Sequence, residues 1–366
     1  MQFGLSESQE FLKDSARKFF AGECPSAEVR RLIETDTAYD ADLWSKLTEQ
    51  GYTGIIFPEE YGGVGLGKIE LMLLMEEAGR ALLPGPFFST VVLAGSVLHA
   101  VATPAHKKQY LAPICRGEVR ATVALVEDSA NWDPKSIEMK SANGKLTGEK
   151  FFVTDAAIAD FLIVVARDGV FVVNSKARGL KISPMHGMDL TRKLYVVEFS
   201  DTPAAKIGST SNLSRALDIA TAALAAELVG GMQRTLDITV EYAKTRKQFG
   251  KPIGMFQAVQ HQCADMYLET ESSRSAVYYA GWALEENSPD AATAVSIAKM
   301  YASDAARTVG NRGIQIHGGM GFTWENDVHL YYRRAKASET VFGDATFHRE
   351  RIASRVIDCA ISAKGA

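Results

Sequence analysis

Two stretches in the last third of the chain hold side chains and bare backbone suited to an anion. Tyr242–Ile253 reads Tyr-Ala-Lys-Thr-Arg-Lys-Gln-Phe-Gly-Lys-Pro-Ile, a basic cluster where a helical pattern breaks at Gly250-Lys251-Pro252. Gln315–Phe322 reads Gln-Ile-His-Gly-Gly-Met-Gly-Phe, which puts glycine backbone directly after another helical stretch. An arginine fork grips phosphate oxygens in pairs and glycine N–H groups let them come close, so the two stretches suit a pyrophosphate. The plain alternative is a helix cap beside a solvated basic face. Other motifs carry less. Gly62-Gly63-Val64-Gly65-Leu66-Gly67-Lys68 contains Gly-x-x-x-x-Gly-Lys, but Ile69 stands where a magnesium-binding hydroxyl belongs, so it reads as a glycine-rich turn entering a helix. His99, His106, His186, His261, His317, His329 and His348 show no metal-ligand spacing, and no metal is expected. No Gly-x-Ser-x-Gly elbow is present, which leaves a serine hydrolase without support.

The elements that must position these residues follow from pattern. A chain of 366 residues, 46% hydrophobic and 23% charged, divides into two or three units with ample core. A net charge of −4 offers no basic excess for nucleic acid. Cys24, Cys115, Cys263 and Cys359 form no Cys-x-x-Cys pair, which fits a reducing, cytoplasmic setting. Met1–Ser6 lacks the features of a signal peptide, so the mature protein is expected to start here. Ala216–Met232 is apolar but interrupted by Asp218 and Glu227, and it reads as a buried helix with no membrane span. Ser6 with Gln9 opens a first helix as a capping box. Helical stripes recur at 40–50 and 69–82, and Pro84-Gly85-Pro86 stops the second. From Arg120 the period changes to two, with apolar runs at 121–126, 151–154, 161–165, 170–173 and 194–199. Asn143-Gly144 and Asp168-Gly169 read as hairpin turns. After Pro203 only Pro252 and Pro289 interrupt helix-forming composition, so helices are expected at 211–246, 257–286 and 290–315, with a last one from about Asp344. The fold class is α+β, mostly α: an N-terminal helical domain (1–118), a middle antiparallel β-domain (119–208) and a C-terminal four-helix bundle (209–366).

Pro58-Glu59-Glu60-Tyr61-Gly62-Gly63, Gly148-Glu149-Lys150-Phe151-Phe152-Val153-Thr154, Arg246-Lys247-Gln248-Phe249-Gly250-Lys251-Pro252-Ile253 and Gln315-Ile316-His317-Gly318-Gly319 closely resemble signatures of the acyl-CoA dehydrogenase flavoprotein family. The likeness runs over nearly the whole chain in the same helix–sheet–helix order. It implies an acyl-CoA substrate, FAD between β-domain and bundle, a homo- or hetero-tetramer, and an electron-transferring flavoprotein as acceptor. It assigns Arg246, Phe249, Gln257, Gln315, Gly318 and Gly319 to the adenosine diphosphate arm of a neighbouring subunit's flavin, and Phe152, Val153 and Thr154 to the flavin ring.

Departures from the family pattern bear on the chemistry. The family's Thr-Glu-Pro-Gly-x-Gly-Ser-Asp loop, which contacts flavin and CoA phosphates, is replaced by Val126-Glu127-Asp128-Ser129-Ala130-Asn131-Trp132. The reaction removes a proton α to the thioester, work for a positioned carboxylate. In the ungapped match the usual base position is Phe342, ahead of Gly343-Asp344, and the less common one is Ala220, followed by Thr221. No catalytic residue is assigned. One reading is a subunit of a heteromeric dehydrogenase that completes a sister chain's FAD site. Asp189-Leu190-Thr191-Arg192 and Leu83-Pro84-Gly85-Pro86-Phe87 resemble such subunits, which serve bulky acyl groups. The second is a self-sufficient enzyme with a relocated base, Asp344 ahead of Asp218 and Glu227. The third is a flavin-free structural or assembly partner.

Overall fold

The structure, a computed structural model, describes residues 4–358. The chain forms two compact units, and the helices of its first third are shared between them.

One unit joins residues 69–83 and the N-terminal helix to everything described from Thr221 onward. Its first helix, Glu7–Glu23, starts on the expected capping box, with Ser6 and Gln9 each bonding the other's backbone. The bundle helices are Leu213–Thr245, Gln257–Glu285, Ala291–His317 and Val328–Thr340, the first of which begins in the other unit. The helix expected from about Asp344 is a short one, Ala345–Ala353, and the fourth long helix precedes it. Val328, Leu330, Tyr331, Arg334, Ala335 and Ser338 form its buried face, and an arginine in that stripe hides the helical period. Arg334 is satisfied there by Glu227 Oε1 at 2.7 Å and the Leu83 carbonyl at 3.2 Å.

The helix Lys68–Arg80 lies on Leu213–Thr245 at backbone contact. A Cβ on Gly79 would stand 2.0 Å from the Glu227 carbonyl oxygen, and one on Gly230 would stand 1.8 Å from that of Glu76. This approach buries Glu76, whose carboxylate accepts from Lys13 Nζ (2.9 Å), Arg274 Nε (3.0 Å) and Tyr278 Oη (2.7 Å). A buried carboxylate is tolerated only when paired in this way. Burial works against ionisation of Glu76, but Arg274 and Lys13 outweigh it and hold the carboxyl below the usual range.

The other unit spans Val29–Lys68 and Pro84–Ala220. Its strands are β1 (Ala121–Ala124), β2 (Ser141–Ala142), β3 (Lys145–Thr154), β4 (Phe161–Ala166), β5 (Gly169–Asn174), β6 (Leu180–Met185), β7 (Leu194–Pro203) and β8 (Ala205–Gly208). They form two four-stranded sheets, β1-β4-β5-β8 and β2-β3-β7-β6. Pairing is antiparallel except that β1 runs parallel to β4. β4 is buried along its whole length, which explains its uninterrupted apolar run. Asn143 (φ 51°) and Gly144 (φ 72°) make the expected tight turn. At the second expected hairpin the turn is Arg167-Asp168, because Gly169 already pairs with Ala166. β6 and β8 were not expected, since neither shows a clean two-residue alternation of burial. Among the described residues no helix is long and apolar enough to cross a membrane.

Replacing a helical glycine by alanine ordinarily gains up to about 1 kcal/mol. At Gly230 the methyl would enter a neighbouring backbone, and overpacking costs about 1–3 kcal/mol, with the upper end expected where backbone atoms must move. Gly230→Ala should therefore lower the urea midpoint, whereas the propensity alone would raise it.

Candidate active site

The basic segment begins where Leu213–Thr245 ends. Lys247–Gln248 and Lys251–Pro252 pair as a minimal hairpin. Phe249 (φ 51°) and Gly250 (φ 79°) form its turn, both in the left-handed region that such a two-residue loop requires. Phe249 is 91% exposed at the tip. Arg246 is exposed, and its guanidinium has no ion-pair or hydrogen-bond partner among the described residues. Gln257 is the exposed first residue of the next helix.

The glycine segment closes Ala291–His317. Gly318 takes φ 61° and ψ −138°, which a side chain disfavours, and its N–H caps the helix on the Ile314 and Gln315 carbonyls. Its amide is therefore occupied, and what it offers a ligand is the missing Cβ. Nothing lies within 4 Å of where a Cβ would stand on Gly318 or Gly319. Gln315, Gly318 and Gly319 are exposed. The two segments meet through Tyr242 and His317, whose ring centroids are 4.3 Å apart. Unpaired Arg246 and the open glycine surface fit the pyrophosphate of FAD.

Phe152, Val153 and Thr154 lie in the other unit, on β3. A bulge between Lys150 and Val153 puts Phe152 at φ 55° and exposes its ring. The Val153 side chain is buried, so only its backbone is open to a ligand. Thr154 is half-buried, and its carbonyl accepts from Thr122 Oγ1 at 2.6 Å. Phe152, Phe249 and Phe342 are all bulky residues at positive φ, and each sits in a segment singled out from the sequence. Such conformations cost on the order of 1–3 kcal/mol and gather at functional sites.

The loop that departs from the family pattern is pinned by a buried lysine and its carboxylate partner. Lys150, fully buried, donates to Glu127 Oε1 (2.8 Å) and the Leu125 carbonyl (2.9 Å). Glu127 also accepts from the N–H groups of Glu138 and Met139, at 2.9 and 3.0 Å. Burial raises the Glu127 pKa, but Lys150 and these amides bring it below the usual carboxylate range. Further along, Arg192 stacks 4.6 Å over Phe88, and Asp189 takes both the N–H and the hydroxyl of Thr191.

Neither usual base position carries a titratable group. Phe342 is buried at φ 60°, and Ala220 and Thr221 are buried in their helix. Asp344 is exposed and caps Ala345–Ala353, accepting from Phe347 N–H at 2.8 Å. Glu227 is locked to Arg334, and Asp218 is buried. The turn at 340–344 is held by Lys299, whose Nζ lies 3.0 Å from Ser303 Oγ, 3.0 Å from the Glu339 carbonyl and 3.1 Å from the Gly343 carbonyl. Burial pulls this amine down to about 7. Burial and the nearby Lys299 push the His348 imidazole down to about 3. The only trace of Lys299 in the sequence is a lysine within the apolar stripe of Val295, Ala298 and Ala302.

Residues 6–118 match the acyl-CoA dehydrogenase N-terminal domain, and residues 210–357 match the acyl-CoA dehydrogenase C-terminal domain. The chain belongs to the acyl-CoA dehydrogenase family. It is 31% identical over 353 residues to acyl-CoA dehydrogenase IpdE2 of Mycolicibacterium smegmatis, covering 96% of this chain and 100% of that protein. Among solved structures it is similar to a variant of the Tcur3481-Tcur3483 steroid ACAD, with TM-score 0.89, 31% identity, and 97% and 99% of the two chains covered. It is also similar to the ChsE4-ChsE5 complex from Mycobacterium tuberculosis, with TM-score 0.90, 27% identity and the same coverage. As a member of the family this acyl-CoA dehydrogenase is an FAD-dependent oxidoreductase.

Lys299 gives this acyl-CoA dehydrogenase a pH signature. Unfolded, the amine keeps its proton up to about 10.5, whereas in the fold it gives it up near 7. The unfolded chain thus binds more protons between these values, and this group's contribution to stability rises with pH across that window. Comparing wild type with Lys299→Met by urea unfolding at pH 7, 8.5 and 10, wild type should gain stability relative to the variant toward pH 10. A constant difference would mean an ordinary lysine pKa.

Proposed function

We propose that this chain is one subunit of a heteromeric acyl-CoA dehydrogenase and completes the FAD site of a sister subunit. The observation that carries the reading is a contrast between its two halves. Both base positions, Phe342 and Ala220, are apolar and buried, while Arg246 stays exposed and has no side-chain partner among the described residues. A carboxylate lost from a buried site leaves nothing to take the α-proton, whereas an exposed, unpaired arginine is suited to an anion from outside the chain. The heteromeric ChsE4-ChsE5 complex among its structural relatives supports the same reading. So does the steroid acyl-CoA dehydrogenase Tcur3481-Tcur3483, which points to a bulky acyl group as substrate.

In this reading Arg246, Phe249, Gln257, Gln315, Gly318 and Gly319 hold the adenosine diphosphate arm of the partner's FAD. Arg246 supplies the charge, and the two glycines supply room for the phosphates. Phe152, Val153 and Thr154 are the segment that would face a flavin ring of the chain's own site. Held there, FAD would supply the hydride acceptor for oxidation of the acyl thioester. The sister subunit's carboxylate removes the α-proton, and an electron-transferring flavoprotein is the proposed acceptor.

A self-sufficient enzyme using Asp344 is the second reading, favoured by that carboxylate's exposure beside the 340–344 turn. Its cap bond to Phe347 N–H speaks against it.

The deciding experiment is the absorbance spectrum of the chain purified alone and after co-expression with a base-bearing acyl-CoA dehydrogenase from a neighbouring gene. Flavin that acyl-CoA bleaches is expected only in the mixed assembly; bleaching by the chain alone would overturn the heteromeric reading. In that assembly Arg246→Ala should strip FAD by removing a charge-assisted contact, and full flavin retention would remove Arg246 from the arm site. Asp344→Asn should leave turnover nearly unchanged, whereas a fall of about 10²-fold or more would identify Asp344 as the base.

A further inference from the structure

The two anion-facing segments are far apart in sequence; their helices pack where Gly313 meets Thr235 and Thr239, and one turn further on a pair of rings joins the segments themselves. Tyr242 lies one turn before Arg246, whose N–H donates to the Tyr242 carbonyl at 2.8 Å. His317 immediately precedes Gly318. The two rings are 4.3 Å apart and inclined by 24°, and Tyr242 Oη reaches the His317 carbonyl at 3.4 Å. His317 is 3% exposed, and its Nδ1 stands 2.7 Å from the Gly313 carbonyl. A carbonyl only accepts, so Nδ1 carries the proton and Nε2 keeps a lone pair. Nε2 is buried without a hydrogen-bond partner. Protonating it would bury an unpaired N–H, so the ring stays neutral, and burial holds its pKa down. A neutral imidazole fixed by its own helix is a rigid platform for the tyrosine.

We propose that Tyr242 and His317 form a strut that sets the separation between Arg246 and the Gly318-Gly319 surface, and so act as positioning residues for the pyrophosphate of FAD. The proposal rests on the assignment of these segments to the adenosine diphosphate arm. Its physical content is preorganisation. The helices are already in contact at Gly313, but Arg246 lies past the end of one and Gly318 past the end of the other, and without the ring pair these two ends would sample a wider range of positions. Binding would then have to order both, and that cost subtracts from affinity.

The test is FAD titration, by quenching of flavin fluorescence, into the assembly in which the wild-type chain binds FAD, alone or co-expressed with its sister chain. Tyr242→Ala and Tyr242→Leu should each weaken FAD by up to about tenfold, the upper end of what an aromatic stack contributes. Tyr242→Leu keeps apolar volume without a stacking ring, so it still decides if the alanine variant fails to fold. Tyr242→Phe retains the ring and should bind within about twofold of wild type, as expected if the stack rather than the 3.4 Å hydroxyl contact is what matters. Folded Tyr242→Leu with wild-type affinity would overturn the strut. Arg246→Ala separates this failure from that of the underlying assignment: if it weakens FAD while Tyr242→Leu does not, only the strut falls. If neither changes affinity, or if no assembly containing the chain binds FAD, both fall.

Discussion

Two helices pressed together at the level of their backbones set the geometry of the helical unit. Gly79 and Gly230 make this possible, because at either position a Cβ would stand within 2.0 Å of the other helix's carbonyl oxygen. With the backbones so close, residues flanking the contact are sealed from water, and two of them are glutamates. Glu76 is answered by Lys13, Arg274 and Tyr278, and Glu227 by Arg334. Each arrangement ties a different helix to the contact: Glu7–Glu23 and Gln257–Glu285 through Glu76, Val328–Thr340 through Glu227. Burying a carboxylate is expensive unless its partners stand in one geometry, so these pairs select helix placement more than they add stability.

That placement matters because the candidate cofactor residues stand on helix ends. Arg246 follows the last turn of one bundle helix, Gln257 opens the second, and Gln315, Gly318 and Gly319 close the third. Helix ends are where backbone groups are left over and where chain direction changes, so several elements can present polar groups together there. The same principle governs the 340–344 turn, where buried Lys299 takes up the carbonyls of Glu339 and Gly343. The turn is firmly built although its usual base position holds a phenylalanine. In the β unit, Lys150 and Glu127 likewise pin a loop whose sequence differs from the family pattern. In both places a buried lysine holds the backbone where the sequence departs from the family pattern.

Three phenylalanines in left-handed backbone, Phe152, Phe249 and Phe342, trace the same division. Two are exposed and one is buried. At 249 the strained residue forms a hairpin tip open to a ligand or partner, and at 152 a bulge turns a ring outward from β3. At 342 the same backbone turns the ring into the core.

Much of this was legible in the sequence because it is local. Helical and strand periods, the Ser6–Gln9 capping box, the Asn143-Gly144 turn and the phosphate-suited residues around Arg246 and Gly318 depend on neighbours within a few positions, and short-range spacing encodes them. The family signatures added the order of the elements and the absence of a carboxylate at 342 and 220. Tertiary structure decided what depends on partners far along the chain. That Val328–Thr340 is a long helix with an arginine inside follows from Glu227, more than 100 residues earlier. That Lys150 and Lys299 are buried follows from acceptors brought to them by other segments, of which the sequence shows at most a lysine placed within an apolar stripe. The meeting of Tyr242 with His317 could not be read either, because contacts between side chains 75 residues apart are fixed by packing and leave no periodic trace.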